Sequence, residues 1–288
     1  VVFHSFDAYR ARLREQGADP DALFDKVRDI AVLTGIAARD HMRKRLRASG
    51  AFDPGCFELI GLDCMVDADM KPWLLECNLS PSLDICAEPE HGGDYEAATK
   101  KGVVEDFVSV MALNHPAEDH ADFLDDALLG PAAERERARA GPFECLYPAA
   151  DAGAFLPYFQ GLRYADAVLA DKTAPGALNS YRLAPATVHE IVSDDELALV
   201  NTQTGKIQTP GPAAAFMWLK AAAGETPDAI ADALITTAGG GSATDVGKTA
   251  FRREVWETFA GWSAEGLLRP VVDAPAPPHT VSGESSTE

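Results

Sequence analysis

Cys56-Phe-Glu-Leu-Ile-Gly-Leu-Asp-Cys-Met-Val-Asp-Ala-Asp-Met-Lys-Pro-Trp-Leu-Leu-Glu-Cys-Asn-Leu-Ser-Pro-Ser82 decides how the rest of the chain is read. Phe57 to Val66 and Trp73 to Asn78 carry the β-branched, aromatic and aliphatic residues of strands, and Asp67 to Pro72 between them is turn material. The expectation is an antiparallel hairpin. Its register follows from chemistry, because a slip of one residue sends every side chain to the opposite face. With Asp67 opposite Pro72 across a four-residue loop, Val66 meets Trp73, Cys64 meets Leu75 and Leu62 meets Cys77, an apolar face throughout. The other face sets Asp63 across from Glu76, with Asn78 two residues further along.

Like charges directly opposed repel unless something neutralises them. Two carboxylates and an amide oxygen are a hard-oxygen set that suits Mg²⁺ shared with nucleotide phosphates. On spacing alone, an ordinary surface hairpin whose wet face carries two acids stands beside this reading. The stretch resembles the signature of tubulin-tyrosine-ligase-like enzymes of the ATP-grasp class, with an Asp on one strand, a Glu-x-Asn on the next and a Ser-Pro-Ser behind it. The resemblance implies that Asp63, Glu76 and Asn78 hold Mg²⁺ and ATP, with Ser80 and Ser82 shaping the adjoining loop. It also implies a ligase that activates a carboxylate as an acyl phosphate for attack by an amine. The residue that assists the amine is not visible.

The chain has 288 residues, 47% hydrophobic and 24% charged, which suits about two globular domains. No run approaches a membrane span, and Val1-Val-Phe-His-Ser-Phe6 lacks the basic start of a signal peptide, so a cytoplasmic protein without a membrane partner is expected. A net charge of −20 argues against a nucleic-acid partner. The five cysteines lack a Cys-x-x-Cys spacing and read as small buried hydrophobes rather than a disulfide framework or zinc site.

Asp19-Pro20 predicts an N-cap and first helical residue, opening one long helix through Leu23, Val27, Ile30, Thr34 and Ala37 toward Gly50. Arg39, Arg43, Lys44, Arg45 and Arg47 near its end suit the helix dipole. After a loop, Asp94 is expected to cap a second helix, on which Lys100 and Lys101 read as solubilising. His115 to about Pro185 reads as an acidic and charged connector with aromatic residues from Phe143 to Leu169 whose packing place is open. Gly239-Gly-Gly-Ser242 reads as a plain linker.

From Thr187 three short strands (His189–Val192, Leu197–Asn201, Lys206–Thr209) and three helices starting near Pro212, Thr226 and Thr244 are expected. This order, with Leu199-Val-Asn201 before a Thr-Gly turn and Glu225-Thr-Pro227 opening the second helix, resembles PqqD-like peptide-recognition domains of ribosomal-peptide maturation. A DNA-binding winged helix is the plainer alternative. The resemblance implies a leader segment of a precursor peptide adding to a sheet edge, with Val200 and Ile207 as peptide-binding positions.

The expected fold is α+β: a partial ATP-grasp C-terminal lobe over residues 1–115, a connector over 116–186, a small winged-helix-like domain of three strands and three helices over 187–270, and a disordered tail over 271–288. The expected function is an ATP-dependent carboxylate–amine ligase of a ribosomally made precursor peptide. The strands that would supply the remainder of a nucleotide cradle do not precede Val1, so an N-terminally truncated, inactive chain is expected. A non-catalytic peptide-binding adaptor with a relic ligase segment is the alternative.

Overall fold

The computed structural model describes residues 4–49, 57–111, 126–148, 152–159, 163, 166–168, 178–193, 196–237 and 245–272. Cys56, Arg47's side chain, the Gly239–Ser242 linker and residues 273–288 of the expected 271–288 tail lie outside them, while Val271 and Val272 end a strand and do not belong to a disordered tail. The chain divides into two compact units: 1–121 with 132–146 and 277–288, and 122–131 with 147–276. Small antiparallel sheets and helices make up both.

In the first unit, helix α1 (Phe6–Glu15) opens on Ser5, whose side chain accepts from Ala8 N at 3.1 Å. Its edge is fastened to α2 (Pro20–Ser49) by Phe6 against Phe24 with ring centroids at 5.4 Å, and by Arg10, which stacks on Phe24 and pairs with Asp21. The start of α2 is as expected: Asp19 Oδ1 accepts from Asp21 N at 2.9 Å and Ala22 N at 3.2 Å, filling donors that a helix start leaves open. Leu23 is buried and Ala37 is exposed. Strands β1 (Ile60–Val66) and β2 (Pro72–Leu79) form the hairpin, and α3 (Gly93–Val110) follows. Asp94 does not cap α3: Gly92, at φ 96°, is the N-cap and Asp94 lies in the first turn.

Helix α4 (Asp126–Arg139) carries residues assigned to each unit, and the short helix α5 (Ala152–Phe155) lies in the second. Here some of the aromatic residues left without a place find one, while Phe143 and Tyr158 are exposed and Tyr164 lies outside the described residues. Phe155, Leu156 and Phe159 are buried, with Tyr147 edge-on to Phe155 at 6.4 Å. Strand β3 (Leu178–Leu183) pairs with β7 (Leu268–Val272) in a two-stranded sheet that no sequence pattern announced. Strands β4 (Thr187–Ser193), β5 (Glu196–Asn201) and β6 (Lys206–Gln208) form a second sheet in that order. Helices α6 (Pro212–Ala222), α7 (Pro227–Thr237) and α8 (Asp245–Ala264) follow where the sequence placed them. Trp218 is fully buried and meets Trp262 edge-on at 5.1 Å, while Phe259 lies between Trp262 and Tyr181 at 5.5 and 5.1 Å. Asn201 ties the sheet to the end of α8: its Nδ2 donates to Glu265 O at 3.0 Å and its Oδ1 accepts from Gln203 N and Thr204 N.

The cysteines depart from expectation. Among the described cysteines, expected to be buried, Cys77, Cys86 and Cys145 are exposed and Cys64 is half-buried. Burial, reinforced by the Asp63 charge, pushes the Cys64 thiol up. Among the described residues no helix is long and apolar enough to cross a membrane.

Candidate functional site

The hairpin sets Asp63 opposite Glu76 and Leu62 opposite Cys77, as the charge and period argument requires. Toward the loop the ladder differs. Cys64 pairs with Leu74, Met65 with Trp73 and Val66 with Pro72, so Leu75 is an unpaired bulge residue and the expected Cys64–Leu75 and Val66–Trp73 pairs do not form. The cause is Asp67. Its Oδ1 accepts from Asp69 N at 3.0 Å and Lys71 N at 2.9 Å, and its Oδ2 from Trp73 Nε1 at 2.8 Å. Closing a longer loop, Asp67–Lys71, on these donors, with Met70 at φ 59°, sets Trp73 opposite Met65, one position further from the tip than expected. The indole N–H, with the Lys71 N–H behind it, holds the Asp67 carboxyl below the usual carboxylate range.

The bulge absorbs that shift before the acids, so their pairing survives. Asp63 and Glu76 are exposed, and Asn78 is half-buried. Asn78 Nδ2 donates to Glu76 Oε1 at 3.0 Å and to Asp63 Oδ2 at 3.4 Å, bridging the two acids. Among the described residues no three His, Cys, Asp or Glu side chains cluster as a metal cage. Two carboxylates and an amide, whose Oδ1 replaces Nδ2 on a half-turn of the side chain, fit Mg²⁺, which binds through one or two carboxylates and keeps water or phosphate for its other positions.

Behind β2 the chain reverses at Ser80, a non-glycine residue at φ 50°. Ser80 N donates to Leu59 O at 3.1 Å, and its hydroxyl to Glu58 Oε1 at 3.4 Å. Pro81 is thereby laid on Gly61, where an added Cβ would stand 3.2 Å from Pro81 Cβ. Gly61 pairs with Asn78, so this contact seats the amide's own strand position. The signal was available: a lone Gly inside a strand marks a close approach. Ser82 Oγ accepts from Asp84 N at 3.2 Å, a loop-shaping bond. Lys100 is not simply solvated, since its Nζ donates to Glu96 Oε1 at 2.7 Å. Lys101 pairs with Glu105 at 3.6 Å in the open.

In the second unit Val188, Val200 and Ile207 form one cross-strand row. Ile207 is 68% exposed on the edge strand β6, whereas Val200 lies on the central strand β5. With strands on both sides, Val200 has no open backbone edge to offer a peptide.

Residues 3–119 match the profile of the tubulin-tyrosine ligase family, so the chain carries a tubulin-tyrosine-ligase-like part, and the Asp63, Glu76 and Asn78 face lies within it. Among its relatives, tubulin monoglutamylase TTLL4 of Homo sapiens is 38% identical over 71 residues, 25% of this chain and 6% of that protein. Tubulin polyglutamylase TTLL5 of Mus musculus is 31% identical over 140 residues, 49% of this chain and 10% of that protein. The chain thus spans a small fraction of the length of the curated relatives it matches. No solved structure matches.

Proposed function

We propose that the chain is part of an ATP-dependent carboxylate–amine ligase in which Asp63, Glu76 and Asn78 hold Mg²⁺ with ATP, and Ser80 and Ser82 shape the adjoining loop. The observation that carries this reading is the opposed carboxylate pair, bridged by Asn78 at 3.0 and 3.4 Å, inside the stretch that matches the ligase family. When bound, ATP would supply the phosphoryl group that activates a carboxylate, and Mg²⁺ the positive charge that offsets the acids and the phosphates. Asp63 and Glu76 orient from opposite strands, and Asn78 sets their spacing.

The relatives are named for modifying tubulin, which supports a protein or peptide as the partner. For this chain the partner is a ribosomally made precursor peptide, recognised by residues 187–270 as a PqqD-like, winged-helix-like module. Support comes from three strands and three helices in that order and from the exposed Ile207 on an edge strand. Such a module raises the local concentration of peptide at the ligase part.

The test is a Mg-ATP titration of the protein against Asp63→Asn and Glu76→Gln. Loss of Mg²⁺-dependent nucleotide binding in both is expected. Equal affinity in wild type and both variants would remove the metal reading and leave a peptide-binding adaptor with a relic ligase segment.

A further inference from the structure

Between the hairpin and α3 the chain runs from Leu83 to Glu88 without regular structure and then through a single 3₁₀ turn, Pro89–His91. It has little apolar anchorage: Leu83 is 46% and Ile85 58% exposed. What holds it is polar. Glu96, 4% exposed on α3, accepts from Cys86 N and Ala87 N through Oε2, both at 2.9 Å, and from Lys100 Nζ through Oε1 at 2.7 Å. Lys100 also donates to Asp84 O, so one ammonium group ties the carboxylate and the loop together. A buried carboxylate with such donors satisfies its acceptor sites at the place where burial would otherwise penalise its charge. Its carboxyl is accordingly held low, first by Lys100 and then by the Ala87 N–H.

A second, independent feature fixes the same segment. At Gly93 an added Cβ would stand 2.2 Å from Ala87 O and 3.0 Å from the Glu88 carbonyl carbon, so the loop backbone lies directly on the start of α3. Gly93 N donates to Glu88 O at 3.0 Å. From this clamp the chain leads back through the Asp84 N to Ser82 Oγ bond and Pro81 on Gly61 to the Asn78 position. The segment from Asn78 to Gly93 is therefore pinned at both ends.

We propose that Glu96, charge-paired with Lys100, is a positioning residue for Mg-nucleotide binding: it holds Leu83–Glu88 on α3 so that Ser80–Ser82 keep their place beside the Asp63 and Glu76 pair. The inference rests on the hairpin being the nucleotide site. Partners hydrogen-bonded to metal ligands are worth about 10-fold to 100-fold in affinity, and Glu96, which acts one step further out through the loop, is expected at the low end of that range.

Mg-ATP affinity and amide hydrogen exchange are measured on the protein and on Glu96→Ala, Glu96→Gln and Lys100→Met, with circular dichroism as a fold check. Expected are faster exchange at Cys86 and Ala87 in Glu96→Ala, Mg-ATP binding weaker by about 10-fold or more, and partial recovery in Glu96→Gln, whose amide oxygen still accepts from the loop. Faster exchange with wild-type affinity makes Glu96 purely structural and overturns the inference alone. Absence of Mg-ATP binding in the wild type overturns the nucleotide reading and the inference with it. Should Glu96→Ala fail to fold, Lys100→Met decides, since it removes the ammonium that ties Glu96 Oε1 to Asp84 O and so loosens the same clamp: unchanged affinity there overturns the proposal.

Discussion

Trp73 Nε1 donates to Asp67 Oδ2 at 2.8 Å, and this one bond across the hairpin loop brings the indole opposite Met65 rather than Val66. Lys71 Nζ sits 3.8 Å over the same ring, adding a cation–π contact on the indole face. The tip is thus built by polar groups around one carboxylate, and the bulge at Leu75 restores the ladder before it reaches the acids.

Replacing Trp73 by Phe keeps the ring and removes the N–H. The Asp67 carboxyl is expected to return toward its ordinary range, since its principal donor is lost. The sign of the pH effect follows. A carboxyl depressed by folding stabilises above its unfolded pKa of about 3.9 and loses that contribution as pH falls through the lower folded value. In wild type the hairpin tip therefore holds down into more acidic solution than in Trp73→Phe. Side-chain carboxyl NMR titration of Asp67 in both proteins measures it, and superimposable curves would refute the assignment.

Gly61→Val places a branched side chain where even a Cβ stands 3.2 Å from Pro81 Cβ. Overpacking of this kind costs about 1–3 kcal/mol. Pro81 is expected to lift and the Asn78 position to loosen with it, so Mg-ATP affinity falls together with the urea midpoint. Retention of both values would show that the reversal at Ser80 absorbs the change without cost.

The two strand positions expected to meet a peptide separate by their place in the sheet. Val200→Pro interrupts central β5 and is expected to unfold the three-stranded sheet, because proline removes a ladder donor. Ile207→Pro acts on edge β6, so the fold is expected to persist while binding of a precursor peptide weakens. Far-UV circular dichroism paired with amide shift titration distinguishes them. Equal unfolding by both substitutions contradicts the edge assignment.

The sequence by itself determined what repeats locally or carries its own start and stop. Asp19-Pro20 opens α2, Pro212 and Pro227 open α6 and α7, and the alternation through Leu62, Asp63, Glu76 and Cys77 sets the two acids face to face. Those signals act over a few residues, where capping groups and a two-residue period suffice. Only the tertiary structure decided what depends on partners far along the chain or on a single dihedral angle. The β3–β7 pairing joins Leu183 to Leu268, and no local pattern names so distant a partner. The bulge at Leu75 follows from where the Trp73 indole finds an acceptor, and the seat of Pro81 on Gly61 goes with Ser80 at φ 50°. In the sequence Lys100 read as a solubilising helix lysine, and Glu96 carried no reading. Their meaning came from the Cys86 and Ala87 backbone amides laid against them, because a carboxylate becomes a structural clamp only when folding brings it donors and takes away its water.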